Sequence, residues 1–253
     1  MTPSERMLRE IAAEAEATAS WTGRARLAPR VLAALAAVRR EAFMPDALAA
    51  HAYENRPQPI GCGQTISQPF IVALMTDLLD PAPEDAVLEI GTGSGYQAAV
   101  LARLVRRVCS LEVIPELARR ARAALAAAGV RNVVVREGDG ALGWPETPGA
   151  ARGAPSFDEI AAHGAPPFDK IAARGAPPFD KIIVTAAARE VPPALLAQLR
   201  APGRMVIPLG PPGGPQHLRL IEKDAAGNVA GRDVLDVAFV PFTGAAPNGA
   251  ARG

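Results

Sequence analysis

The chain is poor in cysteine, with only Cys62 and Cys109 in 253 residues. Two are too few for a disulfide framework, and they lack metal-ligand spacing, so both are read as incidental thiols. It is also poor in net charge: 27 Lys+Arg against 26 Asp+Glu leave a formal +1. No basic field of the kind that neutralises phosphates is present, so nucleic acid is not an expected partner. No apolar run is long enough to span a bilayer. The opening stretch MTPSERMLREIAAEAEATAS mixes acids with bases and lacks the apolar core of a secretory signal. A cytoplasmic location without membrane contact is the expectation.

At 253 residues the chain suits one sizeable α/β domain with a real core, or two small ones. Its most informative stretch is 87–102, VLEIGTGSGYQAAVLA. Val87, Leu88 and Ile90 form a short apolar run, glycines stand at 91, 93 and 95, and Ala98, Val100, Leu101 and Leu104 follow at helical spacing. That pattern is a buried strand, a tight turn and a helix. Glycine in such a turn admits positive φ and lets a ligand approach the backbone. A dinucleotide fingerprint would place its third glycine where Tyr96 stands, so the nicotinamide reading loses ground. Glu89, just before the first glycine, can meet a cationic amino group or a turn N–H. The spacing E-x-G-x-G-x-G resembles the first motif of the Rossmann-like methyltransferases that use S-adenosyl-L-methionine (SAM). A plain strand-to-helix turn is the alternative.

Residues 4–20 place Met7, Ile11 and Ala15 on one helical side, and 29–38 repeat Val31, Leu32, Leu35 and Val38 in the same way. The stretch 39–59 has little periodicity and reads as a short helix with irregular chain, in which His51 has no role. In 60–80, IGCGQTISQPFIVALMTDLLD, glycines make a flexible lead-in to Thr65, Ile66 and Ser67, and Pro69 opens an apolar helix. Ser67 is either the N-cap of that helix or a side chain offered to an anionic substrate. Further strands are expected at 108–113, 132–136, 203–208, 217–223 and 234–240, with helices at 115–128 and 193–199.

Glu112 ends the second central strand about twenty residues after the glycine turn, where Rossmann-like sheets place the carboxylate that binds ribose hydroxyls. A solvated strand-end acid would look the same. Asp139, between Gly138 and Gly140, can accept from an adenine amino group or simply make an Asp-Gly turn. Thr185 stands among small residues at the carboxyl edge, where open α/β sheets hold ligands. The expected fold is α/β, a doubly wound and mostly parallel sheet of about seven strands with helices on both faces, preceded by N-terminal helices. Residues 1–245 are expected to be one domain and 246–253 a disordered tail.

The run PIGCGQTISQPFIVA, followed at a short interval by VLEIGTGSGYQAAVLA, resembles the protein-L-isoaspartate O-methyltransferases nearly residue for residue. Generic methyltransferases have the glycine loop but not the TISQP segment, so the segment selects the family. The resemblance implies a repair enzyme that moves the SAM methyl to the free α-carboxylate of L-isoaspartyl residues in damaged peptides and proteins. It implies Ser67 as the catalytic position, physically a hydrogen-bonding and positioning hydroxyl, with Thr65 and Ile66 as the substrate wall. It implies a cofactor site made of Glu89, Gly91, Gly93, Gly95, Glu112, Asp139 and Gly140. The run FVPFT at 239–243 resembles the strand end that closes over substrate, which adds Thr243 to Thr185 as a substrate contact.

The acceptor carboxylate is already ionised at neutral pH, since α-carboxyls titrate at about 3.3–3.7. Methyl transfer therefore needs neither proton removal nor a metal. A monomer is expected. The competing readings are a SAM methyltransferase acting on a small molecule or RNA, and a SAM-binding domain without catalysis.

One stretch departs from the family pattern. Residues 153–163 (GAPSFDEIAAH), 164–174 (GAPPFDKIAAR) and 175–185 (GAPPFDKIIVT) are tandem copies with a period of eleven. Only the last continues into Ile182, Ile183 and Val184, so only it should supply the fourth strand. The earlier copies, within 151–174, are expected to form an extruded insertion. Deleting 154–175 leaves one copy and should preserve folding and activity; loss of either in the purified deletion variant would make the insertion functional.

Overall fold

A computed structural model describes residues 1–145, 179–211 and 213–242. The tandem copies before Phe179 and the chain after Phe242 lie outside the described residues. So do the expectations of an extruded insertion and a disordered tail, and the candidate Thr243.

The N-terminal periodicity is realised as α1 (Pro3–Ala17), with Met7, Ile11 and Ala15 buried. Thr2 and Glu5 form a reciprocal capping box around Pro3, which satisfies N–H groups that the first turn leaves open. The helix stops before residue 20 because the Thr18 hydroxyl bonds back to Glu14 O at 2.8 Å. A four-residue α2 (Ala19–Thr22) follows and ends at Gly23, which is left-handed with φ 68°. The next helix, α3 (Pro29–Ala37), leads into 3-10 turns at Arg40–Phe43 and Asp46–His51.

The expected flexible lead-in is instead a hairpin, β1 (Gln58–Gly61) antiparallel to β2 (Gln64–Ile66). Gly61, Cys62 and Gly63 all take positive φ, at 89°, 53° and 70°, and so reverse the chain within three residues. Then α4 (Pro69–Leu79) opens at its proline as expected and is buried on nearly every side. Its N-cap is Gln68 rather than Ser67, and it has no side-chain cap of its own. Asn55 substitutes from outside the helix, Oδ1 accepting from Phe70 N at 2.9 Å.

The remaining elements are β3 (Ala86–Ile90), α5 (Tyr96–Ala102), β4 (Arg107–Glu112), α6 (Pro115–Ala127), β5 (Val133–Glu137), β6 (Phe179–Val184), α7 (Pro193–Gln198), β7 (Leu199–Leu209), β8 (Gln216–Lys223) and β9 (Val229–Val237). Seven strands form one sheet in the order β5-β4-β3-β6-β7-β8-β9. Strands β5 to β7 in that order run parallel, and β8 is antiparallel to both of its neighbours. The last strand begins at Val229, earlier than its apolar residues indicate, because Asp224 accepts from Ala226 N and Asn228 N at 2.9 Å and turns the chain tightly.

From β3 the chain builds outward through β4 to β5, then returns to β6 on the other side of β3. Strand order therefore reverses at β3, where open α/β sheets leave a ligand crevice at their carboxyl ends. Alternation along the strands separates two cores. Val87, Val108, Ile183 and Val206 share one with α1 and α3–α6, whereas Leu88, Ile90, Ile182 and Val184 pack with Trp144 and Leu195 of α7. Each such side chain contributes about 1.5–3 kcal/mol on burial, so these two layers hold the strand ends in place. Cys109 belongs to the second core, its thiol pushed up to about 12 by burial, while Cys62 is exposed at the hairpin turn. No helix among the described residues is long and apolar enough to cross a membrane.

Candidate functional site

A cleft with about 780 Å3 of empty space opens at the carboxyl ends of the central strands. Residues 64–67, the turn 91–94, the end of β4, Gly138, Gly140, Thr185, Ala186 and 240–242 line it.

The glycine turn is shaped by two different constraints. Gly91 has φ 92°, and a Cβ there would lie 2.5 Å from Thr185 Oγ1. Thr185 cannot retreat easily, since its hydroxyl donates to Ile90 O at 3.1 Å and to Gly91 O at 2.6 Å. Gly95, with φ 90°, precedes α5 and lies against Ala121 and Leu125 of α6. It serves helix packing and is not on the cleft wall. Gly93 is on the wall.

The N–H groups of the turn have definite partners. Gly91 N and Thr92 N donate to Leu111 O at 2.8 and 3.2 Å. Gly93 N donates to Glu112 Oε2 at 2.8 Å, and Ile114 N to Glu112 Oε1 at 3.0 Å. Glu112 thus ties the turn to the end of β4 and lines the cleft. A carboxylate oxygen accepts more than one hydrogen bond, so each of these retains capacity for a donor in the cleft. An adjacent pair of ribose hydroxyls is such a donor set, and SAM carries one. The residues fit it.

Glu89 is placed otherwise than its position before the turn indicated. It is fully buried, absent from the cleft wall, and accepts from Ser110 Oγ, which is itself 2.5 Å from Thr92 Oγ1. Its Oε1 has no hydrogen-bond partner among the described residues. It lies opposite Ser110 in the β3–β4 register, which brings it to that hydroxyl instead of the turn. Burial, assisted by the neighbouring Glu112 charge, pushes the Glu89 carboxyl up to about 8 from an ordinary 4.5. The folded state then holds the proton more tightly than the unfolded chain. The resulting stabilisation is full below the unfolded value and is lost as pH rises through the folded one. Glu89→Gln should therefore abolish a pH dependence on the order of a few kcal/mol. Urea unfolding at pH 6 and pH 9 checks it: the stability gap between variant and parent should shift in the variant's favour at the higher pH, and an unchanged gap contradicts the assignment.

Asp139 follows β5 by two residues and turns its carboxylate onto Ala141 N at 2.9 Å, capping a 3-10 turn. Its neighbours Gly138 and Gly140 line the cleft, while Asp139 itself does not. Gly140 is held bare by packing, since a Cβ would come 2.2 Å from Ile90 Cγ2.

Thr65, Ile66 and Ser67 line the same cleft. The segment is anchored from behind. Arg40 Nη2 donates to Ser67 O at 2.7 Å, Gln68 Nε2 to both Glu14 oxygens at 3.1 and 2.9 Å, and Asn55 Nδ2 to Glu14 Oε2 at 2.7 Å. The Ser67 hydroxyl makes no hydrogen bond to any described residue and is available to a ligand.

Of the candidates, Thr65, Ile66, Ser67, Gly91, Gly93, Glu112, Gly140 and Thr185 come together on one cleft, whereas Glu89, Gly95 and Asp139 stand behind or beside it. Tyr96, Gln97, Ile114 and Phe242 line it too, unforeseen from the sequence. Tyr96 had a signal, its place directly after the glycines. Phe242 lies within the FVPFT run and reaches the site because Phe242 N donates to Ala187 O at 2.8 Å and Ala187 N to Val240 O at 2.9 Å, pinning the segment beside β6.

The model of one protein family, protein-L-isoaspartate(D-aspartate) O-methyltransferase, matches residues 21–167 and 171–246. Among curated proteins, protein-L-isoaspartate O-methyltransferase 2 of Syntrophobacter fumaroxidans is 49% identical over 239 residues, 94% of this chain and 85% of its own. The protein of the same name from Nitrosococcus oceani is 47% identical over 238 residues, 94% of this chain and 95% of its own. Among solved structures, one described as protein-L-isoaspartate O-methyltransferase superposes with TM-score 0.70 at 24% identity, covering 95% of this chain and 66% of that one. A Plasmodium falciparum structure described as such a methyltransferase in complex with S-adenosyl-L-homocysteine gives TM-score 0.69 at 19% identity, covering 96% and 99%. The two structures share the fold, and the family model with the close relatives settles the lineage: the chain belongs to the protein-L-isoaspartate(D-aspartate) O-methyltransferase family.

Proposed function

We propose that this chain transfers the methyl group of SAM to the free α-carboxylate of L-isoaspartyl residues in damaged peptides and proteins. The observation that carries the reading is the cleft itself, where the unengaged Ser67 hydroxyl of the TISQP segment faces the same space as Glu112 and the glycine turn. When bound, SAM supplies a methyl group on a positively charged sulfonium.

The residues of the chain have three tasks. Glu112 holds the cofactor's ribose, with Gly91 and Gly93 keeping the backbone open for it and the Gly138–Gly140 turn flanking the adenine end. Asp139 orients that turn. Ser67 donates to one oxygen of the acceptor carboxylate and so directs the other at the methyl group, with Thr65, Ile66 and Thr185 bounding the peptide. The acceptor carboxylate is its own nucleophile, so no base has to remove a proton. Pre-orientation of this kind is worth on the order of 7–11 kcal/mol, which makes placement the enzyme's main contribution. Ile66, Val240 and Phe242 supply apolar cover that excludes water from the site.

Recognition of one altered backbone unit in many sequences favours main-chain contacts along an open edge over deep side-chain pockets. The reading takes residues 1–245 as a single catalytic domain acting as a cytoplasmic monomer without nucleic acid. The near-neutral net charge of +1 supports the last point. The decisive assay is methyl transfer from labelled SAM to an isoaspartyl peptide and to its aspartyl twin. Transfer to the first alone is expected; transfer to neither, or to both alike, refutes the proposal.

A further inference from the structure

Arg40 is the largest fully buried side chain among the described residues, with 0% of its surface exposed. Taking a guanidinium out of water is costly unless an anion or a full set of acceptors replaces the solvent. Arg40 has little of either. Nη2 donates to Ser67 O at 2.7 Å, and Cζ lies 4.7 Å from the centroid of the Tyr96 ring, a cation–π contact. Among the described residues Nε and Nη1 have no hydrogen-bond partner and no carboxylate forms an ion pair with Arg40; besides Ser67 O, the polar group that favours its charge is the Tyr96 hydroxyl. The adjacent Glu41 is committed elsewhere, Oε1 to Arg39 Nε at 2.9 Å and Oε2 to Tyr53 OH at 2.5 Å. Burial lowers Arg40 only to about 10, so the charge persists at neutral pH.

The side chain is not itself on the cleft wall, yet both groups it touches, Ser67 and Tyr96, are. A positive charge without an internal counter-ion thus sits one residue behind the surface where an anionic acceptor would bind. Phe43 is buried beside the same ring, packed edge-on against Tyr96 at 6.0 Å. In such a low-dielectric setting a charge acts over a few ångströms without direct contact.

We infer that Arg40 is a positioning residue for the acceptor: it fixes the Ser67 segment through the Ser67 carbonyl and supplies the positive potential that favours a carboxylate at that wall. The inference rests on reading the cleft as the isoaspartyl carboxylate site. It requires that the missing counter-ion of Arg40 arrive with the substrate.

Calorimetric titration of two peptides into the protein saturated with S-adenosyl-L-homocysteine tests it without turnover. One peptide carries the isoaspartyl α-carboxylate, the other the α-carboxamide in its place. Arg40→Gln should weaken the carboxylate peptide about tenfold or more while changing the carboxamide peptide and S-adenosyl-L-homocysteine by less than about threefold. Arg40→Lys, which keeps the charge, should remain within about threefold of the parent for the carboxylate peptide. Equal weakening of both peptides, or an equal loss of S-adenosyl-L-homocysteine affinity, would make Arg40 purely structural and overturn the inference. Should the glutamine variant fail to fold, a tenfold or greater loss of carboxylate peptide in the lysine variant overturns it as well. Failure of the functional reading looks different, because the unaltered protein would then bind both peptides alike.

Discussion

Glu112→Ala is expected to weaken SAM binding about a hundredfold, measured by calorimetry, with the fold retained. Two oxygens of Glu112 hold Gly93 N and Ile114 N, at 2.8 and 3.0 Å, and are the acceptors offered to the ribose. A hydrogen bond to a charged acceptor contributes about 1.5–3 kcal/mol, so losing two at the cofactor is worth two orders of magnitude or more. Losing the two backbone anchors adds freedom to the glycine turn, which works in the same direction. Glu112→Gln should fall between, since the amide keeps one acceptor oxygen and cannot receive both N–H groups. Unchanged affinity in the alanine variant would remove Glu112 from the cofactor site.

Ser67→Ala is expected to lower kcat/KM for an isoaspartyl peptide by about ten- to a hundredfold, the loss of one hydrogen bond to a carboxylate. SAM affinity should stay within about threefold, because the cofactor is assigned to Glu112 and the glycine turn and not to the Ser67 hydroxyl. Stability should hardly move, since the hydroxyl has no partner among the described residues, and substitutions of that kind fall within about 0.5 kcal/mol. Steady-state kinetics beside calorimetry and thermal unfolding separate these effects. If Ser67→Ala abolished SAM binding while Glu112→Ala left it intact, the two residues would have to exchange roles.

The contrast between Glu89 and Glu112 also marks how far reading the chain could go. Both are acids near the carboxyl ends of neighbouring strands, and both are candidates for the cofactor. Only Glu112 reaches the cleft. Which one does so depends on the parallel register, in which Glu89 pairs with Ser110 and Glu112 with Glu137. That register is set by cores assembled from distant segments. Ser67 poses the same problem on a smaller scale. Its pattern fitted an N-cap, but Asn55, Gln68 and Glu14 organise the start of α4 from elsewhere, and that frees the hydroxyl.

By itself the sequence determined the strand–turn–helix at 87–102, the helix opening at Pro69, the burial of Met7, Ile11 and Ala15, and the mostly parallel sheet. These follow from local rules: apolar period, the positive φ that glycine accepts, the fixed φ of proline. Only the tertiary structure decided that Arg40 backs Ser67 across 27 residues of chain and that Gly91 stays bare for Thr185, 94 residues away. The physical reason is that a local pattern specifies which face of an element is apolar, while the neighbours of a polar group are chosen by the packing of all the elements together.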